Sequence, residues 1–170
     1  MANTDSIEML LEKAKLLKNQ ENFEAALEIL DSLYKKHPNS KEVKKNLTET
    51  LFTYGGFLND DYTLEYEKAR LIFERIINLN PKDYRAHYNL GIAYFNLGKS
   101  KNAEKCFNKA LRIKPDYKYC LYNLGLIYET LKNYKKALKY YEKALKLDPN
   151  FTYALSAQKQ VKIKLDELNK

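Results

Sequence analysis

The 170-residue sequence predicts an all-α chain assembled from a repeated helix–turn–helix unit. Three observations carry that expectation. Pro81, Pro115 and Pro149 stand 34 residues apart, and Pro38 precedes Pro81 by nine residues more than that. Residues 84–117 laid over 118–151 without a gap are identical at 13 of 34 positions. Within both stretches apolar residues recur at steps of three and four, one face of a helix. Composition points the same way. A hydrophobic share of 45% can fill a core, but five Gly and four Pro are too few for the turns of a sandwich or barrel. Two cysteines exclude a disulfide scaffold, and no apolar run approaches the ~18 residues of a membrane span.

The two clearest units read alike. Leu90, Tyr94 and Leu97 share a face of a first helix, and Gly98-Lys99-Ser100 interrupts it. Ala103, Phe107, Ala110 and Leu111 mark a second helix that stops before Pro115, where proline cannot continue the ladder. Tyr122-Asn123-Leu124-Gly125, Tyr128, Ala137, Ala144-Leu145 and Pro149 repeat the pattern. Gly91, Gly125 and the small alanines let two helices approach closely, with Tyr94, Phe107, Tyr128 and Tyr141 filling the space beside the contact. A mid-helix Gly costs about 1 kcal/mol relative to Ala, which the close packing must offset. The order Asn-Leu-Gly-x-x-Tyr, then Ala, an aromatic, Ala-Leu and Pro over 34 residues resembles the tetratricopeptide repeat (TPR). The resemblance implies an α-solenoid, a right-handed superhelix of four TPR repeats closed by a C-terminal capping helix, as a single TPR domain over residues 1–170.

In chain order the repeats cover 7–40, 41–83, 84–117 and 118–151. Ala14, Leu17, Phe23, Ala26, Leu30 and Pro38 place the first on the shared columns, and Leu47, Leu51, Ala69, Phe73 and Pro81 place the second. Thr48 takes the column of the helix-packing Gly, and Leu33 and Ile76 that of the second Ala. The nine extra residues of the second repeat fall near 55–63, between its helices. They read either as a tolerated loop or, because Phe57, Leu58 and Tyr62 are apolar, as a protruding edge used in binding. Residues 152–170 carry Ala154, Gln158, Val161, Leu165 and Leu168 on one face, as a terminal capping helix requires.

Catalytic chemistry has little support. His37 precedes a repeat-ending proline and reads as an exposed turn residue, while His87 reads as a packed or half-exposed imidazole. Cys106 and Cys120 lack metal or redox spacing and read as small packing residues. Asp60-Asp61 reads as solvated loop charge. The sequence carries no phosphate-loop, dinucleotide, zinc-protease or serine-hydrolase motif. The expectation is no enzyme, no metal and no cofactor. Sparse cysteines and an N-terminus with acids in place of a basic stretch lead to an expected cytoplasmic location.

Charge is uneven. The formal net charge of +8 divides into −2 over 1–40, −1 over 41–83, +5 over 84–117, +4 over 118–151 and +2 over 152–170. Lys101, Lys105, Lys109 and Arg112 share one face of a second helix, and Lys135, Lys139, Lys143 and Lys146 repeat it. That face, expected to be convex and solvent-facing, is read first as solubilising charge. The alternatives are a surface for nucleic acid or an anionic membrane, although no aromatics interleave the stripe, and self-association of an acidic half with a basic one.

The TPR resemblance further implies that the first helices line a concave groove for a peptide segment or partner protein, in a scaffold or adaptor role. Residues three and four apart share a helix face. The groove set is therefore Glu8, Leu11, Glu12 and Lys15, then Lys45, Asn46, Glu49 and Phe52. It continues through Arg85, Tyr88, Asn89, Ile92 and Phe95 to Tyr119, Tyr122, Asn123 and Leu126, with Tyr153 beyond. Asn46, Asn89 and Asn123 share a column and read either as a clasp for a peptide backbone or as local hydrogen-bonding residues. The aromatics give the C-terminal half an apolar wall with polar tips. The cationic clamp with which some TPR domains hold chaperone C-terminal carboxylates maps to Leu11, Lys15, Asn46, Arg85 and Asn89, or to Lys45, Glu49, Asn89, Tyr119 and Asn123. Neither set is complete, so a chaperone tail is the disfavoured ligand.

Overall fold

A computed structural model describes residues 6–60 and 62–168. Asp61 and the N-terminal segment 1–5, both used in the sequence reading, lie outside the described residues. Those described form nine helices and no strand: α1 Ile7–Asn19, α2 Phe23–Lys36, α3 Lys41–Leu58, α4 Tyr66–Leu79, α5 Tyr84–Asn96, α6 Ser100–Ile113, α7 Lys118–Thr130, α8 Tyr134–Leu147 and α9 Thr152–Leu168. They fall into two compact units, Met1–Pro81 and Lys82–Lys170. Among the described residues no helix is long and apolar enough to cross a membrane.

In the first unit, Ser6 and Ser40 cap α1 and α3 by accepting hydrogen bonds from the Met9 and Val43 amides at 3.2 and 3.3 Å. Ala14, Phe23, Leu30, Val43, Leu47 and Leu51 form its buried interior. The nine extra residues are not simply a loop. Five lengthen α3, which has 18 residues against 13 in α5. The remaining four widen the connection to α4, residues 59–65, where α5 and α6 are joined by 97–99 alone. The longer helix moves the close approach. A β-carbon on Gly55 would lie 2.8 Å from Cζ of Phe73, so Gly55, two turns beyond Thr48, is where backbone meets ring. Thr48 instead donates its hydroxyl to the Lys44 carbonyl at 2.8 Å. Leu33 and Ile76 are both buried in place of alanine.

In the second unit, Gly91 lies against Phe107 and Gly125 against Tyr141, the pairings that the repeat pattern predicts. Asp83 and Asn133 cap α5 and α8. Each short turn between paired helices passes through the left-handed region, at Glu21 (φ 60°), Gly98 (φ 71°) and Lys132 (φ 56°). Only glycine adopts this without strain. Three buried clusters fill the unit: one around Phe107, Cys120 and Leu124, one around Tyr128 and Tyr141, and one around Leu121 and Phe151. Helix α9 packs on α8 through Ala157 and Val161. The columns that dock a partner helix in α7, Leu124, Gly125 and Tyr128, are Gln158, Lys159 and Lys162 in α9. Side chains of that size and charge cannot repeat the close glycine–aromatic contact that α7 makes with α8.

Candidate functional site: an aromatic groove on the second unit

Successive first helices place their exposed faces side by side. Phe95 from α5, Tyr122, Leu126, Glu129 and Thr130 from α7, and Tyr153, Ser156, Gln160 and Lys164 from α9 line one groove of about 480 Å³. Phe95, Tyr122 and Tyr153 are its aromatic lining residues, and Tyr122 and Tyr153 belong to a longer row of rings behind and beside it. Ring contacts run without a break from Tyr88 to Tyr119 (6.5 Å between centroids), to Phe151 (5.4 Å), to Tyr122 (5.5 Å) and on to Tyr153 (6.0 Å). Tyr153 is 64% exposed. Such rings offer large rigid area with a hydroxyl at the rim, the composition that dominates binding energy at interfaces.

The groove floor is fixed by one carboxylate. Glu129 accepts a hydrogen bond from Tyr141 Oη at 2.8 Å through one oxygen and from Lys164 Nζ at 2.6 Å through the other. Helices α7, α8 and α9 thus meet at one residue, and the charge-assisted pair holds α9 in place as a groove wall. Burial, then this hydrogen bond, pushes the Tyr141 phenol well above the ordinary tyrosine range. Burial raises Tyr88 and Tyr122 as well. These phenols are neutral donors throughout the physiological range.

Of the residues anticipated from sequence, Phe95, Tyr122, Leu126 and Tyr153 come together in this groove. Tyr119 is exposed and joins the ring contacts at its edge, with Lys118 Nζ 5.2 Å from its centroid. Tyr88 and Ile92 are half-buried against the Phe107 cluster. Arg85 is exposed and pairs with Asp83 at 2.8 Å. In the first unit Lys15 pairs with Glu12 at 3.6 Å and Lys45 with Glu49 at 4.0 Å. Leu11 is buried and so faces the interior, not a groove.

The three asparagines share a behaviour. The amides of Asn46, Asn89 and Asn123 each donate to the carbonyl four residues back, at Glu42 (3.0 Å), Arg85 (2.9 Å) and Tyr119 (2.8 Å). Asn123 also lies 3.4 Å from Tyr88 Oη and is only 7% exposed. At least one amide donor of each is therefore used within its own helix, which favours the local reading of this column.

Glu129, Ser156, Gln160 and Lys164 were missed from sequence. The signal was present, since 153, 156, 160 and 164 lie on one face of α9, but a capping helix was read only for its buried face. The two histidines stand apart from the groove. His87 is buried, and His37, expected in an exposed turn, is half-buried and caps α2 by donating its backbone N–H to the Leu33 carbonyl at 2.8 Å. Cys120 is buried, which pushes its thiol up to about 12. Among the described residues no group of three or more His, Cys, Asp or Glu could hold a metal ion.

The lysine rows lie elsewhere. All eight cations of the two rows are exposed. An aromatic does stand beside them: Lys143 Nζ lies 5.3 Å from the Tyr140 centroid, and that ring stacks on Tyr128 at 5.5 Å.

A model of the tetratricopeptide repeat matches residues 83–150, and another matches residues 8–40. No curated protein matches the sequence. Among solved structures, MamA superposes with a TM-score of 0.69 at 21% identity, over 91% of this chain and 79% of that one. YrrB, described as a TPR protein with an unusual peptide-binding site, has a TM-score of 0.64 at 23% identity over 91% and 92% of the two chains. The first TPR of Spaghetti (RPAP3), solved with the HSP90 peptide SRMEEVD, has a TM-score of 0.64 at 24% identity over 70% and 93%. At these identities the likeness is one of fold.

Proposed function

This chain belongs to the tetratricopeptide-repeat family, and on that premise we propose that it is a non-enzymatic interaction module whose second unit holds a peptide segment of a partner protein. The observation that carries the proposal is the groove lined by Phe95, Tyr122, Leu126 and Tyr153 from three successive first helices. Tyrosine hydroxyls, Gln160 and Ser156 at its rim can hydrogen-bond a peptide backbone, while the rings take apolar side chains. Peptide binding by the RPAP3 domain and by YrrB supports this use of the fold. A chaperone carboxylate tail is the disfavoured ligand. Of the clamp positions in this sequence, Leu11 is buried, and Lys15 and Arg85 are each engaged by a neighbouring carboxylate.

The proposal is tested by selecting peptides from a random library on the whole protein and titrating the best by fluorescence anisotropy. Tyr153→Ala and Gln160→Ala alter exposed groove positions without entering the core. Loss of the exposed ring should weaken binding by tenfold or more, on the order of the 1.4 kcal/mol or greater expected of an aromatic anchor. Peptides whose affinity is unchanged in both variants would place the binding surface elsewhere.

A further inference from the structure

The exposed cations Lys101, Lys105, Lys109 and Arg112 of α6 and Lys135, Lys139, Lys143 and Lys146 of α8 are gathered on one face of each helix. In α4 the basic residues are paired: Lys68 with Glu65 at 3.0 Å, Arg70 with Glu67 and Glu74 at 2.6 and 2.8 Å, and Arg75 with Asp31 of α2. Among the described residues, none of Lys101, Lys105, Lys109 and Arg112, nor of Lys135, Lys139, Lys143 and Lys146, forms an ion pair. The imbalance extends to whole units, with 11 basic and 14 acidic residues over 1–81 but 19 and 8 over 82–170.

The two rows stand on helices that share buried clusters. Leu111 of α6 packs into the cluster that contains Ala144 of α8, and Tyr140 of α8 packs against the cluster that contains Phe107 of α6. Each row spans eleven residue steps, about 17 Å of helix, over which one strand of a duplex presents about five phosphates. Exposed apolar residues stand only at the C-terminal ends of the rows, Ile113 and Leu147, so nothing along them can enter the hydrocarbon of a bilayer. Tyr140 is half-buried with its ring already stacked on Tyr128, so it is no platform for unpaired bases.

We propose that the outer face of α6 and α8 docks the phosphate backbone of double-stranded nucleic acid, without reading its sequence. Charge complementarity selects the occupant, and release of condensed counterions from the duplex drives the association. This surface is separate from the aromatic groove, and neither requires the other.

The test uses the whole protein and two fluorescent 20-base-pair DNA duplexes of unrelated sequence. Both duplexes should bind with equal affinity. The logarithm of the association constant should fall with the logarithm of salt at a slope of about −4 or steeper, the ~0.9 per neutralised phosphate expected for at least four contacts. The variant Lys101→Gln/Lys105→Gln/Lys109→Gln/Arg112→Gln should bind about tenfold or more weakly at low salt and with a shallower slope. Lys13→Gln/Lys35→Gln/Lys36→Gln/Lys41→Gln removes the same charge from the first unit and should retain the wild-type affinity. Equal losses in the two variants would overturn the proposal, since net charge alone would then explain binding. So would absence of duplex binding at low salt, or attachment to phosphatidylserine vesicles in place of the duplex.

Discussion

The backbone of α7 lies directly against a ring of α8: a β-carbon on Gly125 would stand 2.2 Å from Cε1 of Tyr141. That ring also donates its hydroxyl to Glu129, which in turn accepts from Lys164 of α9. One glycine therefore sets the distance between two helices and, through the tyrosine, the position of a groove wall. Gly125→Ala gains about 1 kcal/mol of helix propensity but overpacks a filled core, which typically costs 1–3 kcal/mol, here near the top of that range. The expected net loss is ~2 kcal/mol, a fall in Tm of roughly 4–8 °C for a chain of this size. Gly56→Ala should do the opposite. No atom lies within 4 Å of its β-carbon position and the residue is exposed within α3, so a gain of about 0.4–1 kcal/mol is expected. Thermal melts of the two variants should move in opposite directions.

Alkaline pH should unfold the second unit through its tyrosines. Burial is the leading cause of the raised values at Tyr88, Tyr117, Tyr122 and Tyr141, and Tyr117 is pushed up to about 12. Because the folded values lie above the ~10 of an unfolded chain, these groups stabilise the fold fully below pH ~10. That stability drains away as pH rises through the folded values. Phenolate absorbance and far-ultraviolet circular dichroism, followed together, should show helix lost between about pH 10 and 12 along with ionisation of the buried rings. Complete ionisation with the helices intact would mean that the rings are not packed as described.

The uncompensated lysine rows should also be visible in stability. Along α6, Lys101 and Lys105, Lys105 and Lys109, and Lys109 and Arg112 are like-charged neighbours three or four residues apart, each pair costing about 0.2–0.5 kcal/mol at low salt. Neutralising all four to Gln should raise stability by ~1 kcal/mol, or about 2–4 °C in Tm. The gain should shrink as salt screens the repulsion. A variant no more stable than wild type at low salt would show that other charges already compensate the row.

The period, the paired helices and the glycine–aromatic contacts at Gly91 and Gly125 were legible in the sequence because each is fixed by local spacing. The end of the second repeat's first helix was not. Gly55-Gly56 reads as a break, since two glycines in a row disfavour a helix by ~2 kcal/mol. Packing of Gly55 against Phe73 and burial of Leu58 nevertheless carry α3 through it, a tertiary contact that no window of sequence displays. The site divides similarly. Phe95, Tyr122, Leu126 and Tyr153 followed from helix periodicity, whereas Glu129 and Lys164 belong to the groove only because α9 packs where a further first helix would stand. The asparagine column was ambiguous for a different reason: an amide can serve a ligand or its own helix, and only the hydrogen bonds at Asn46, Asn89 and Asn123 reveal that each already serves the helix.

The most direct test of the central claim is amide chemical-shift mapping of the isotope-labelled protein titrated with a library-selected peptide. The account predicts that the largest changes fall on Phe95, Tyr122, Leu126, Tyr153 and Gln160, the residues around the groove, with α6 and the outer face of α8 unmoved. Changes concentrated on α6 and α8, or confined to the first unit, would contradict it.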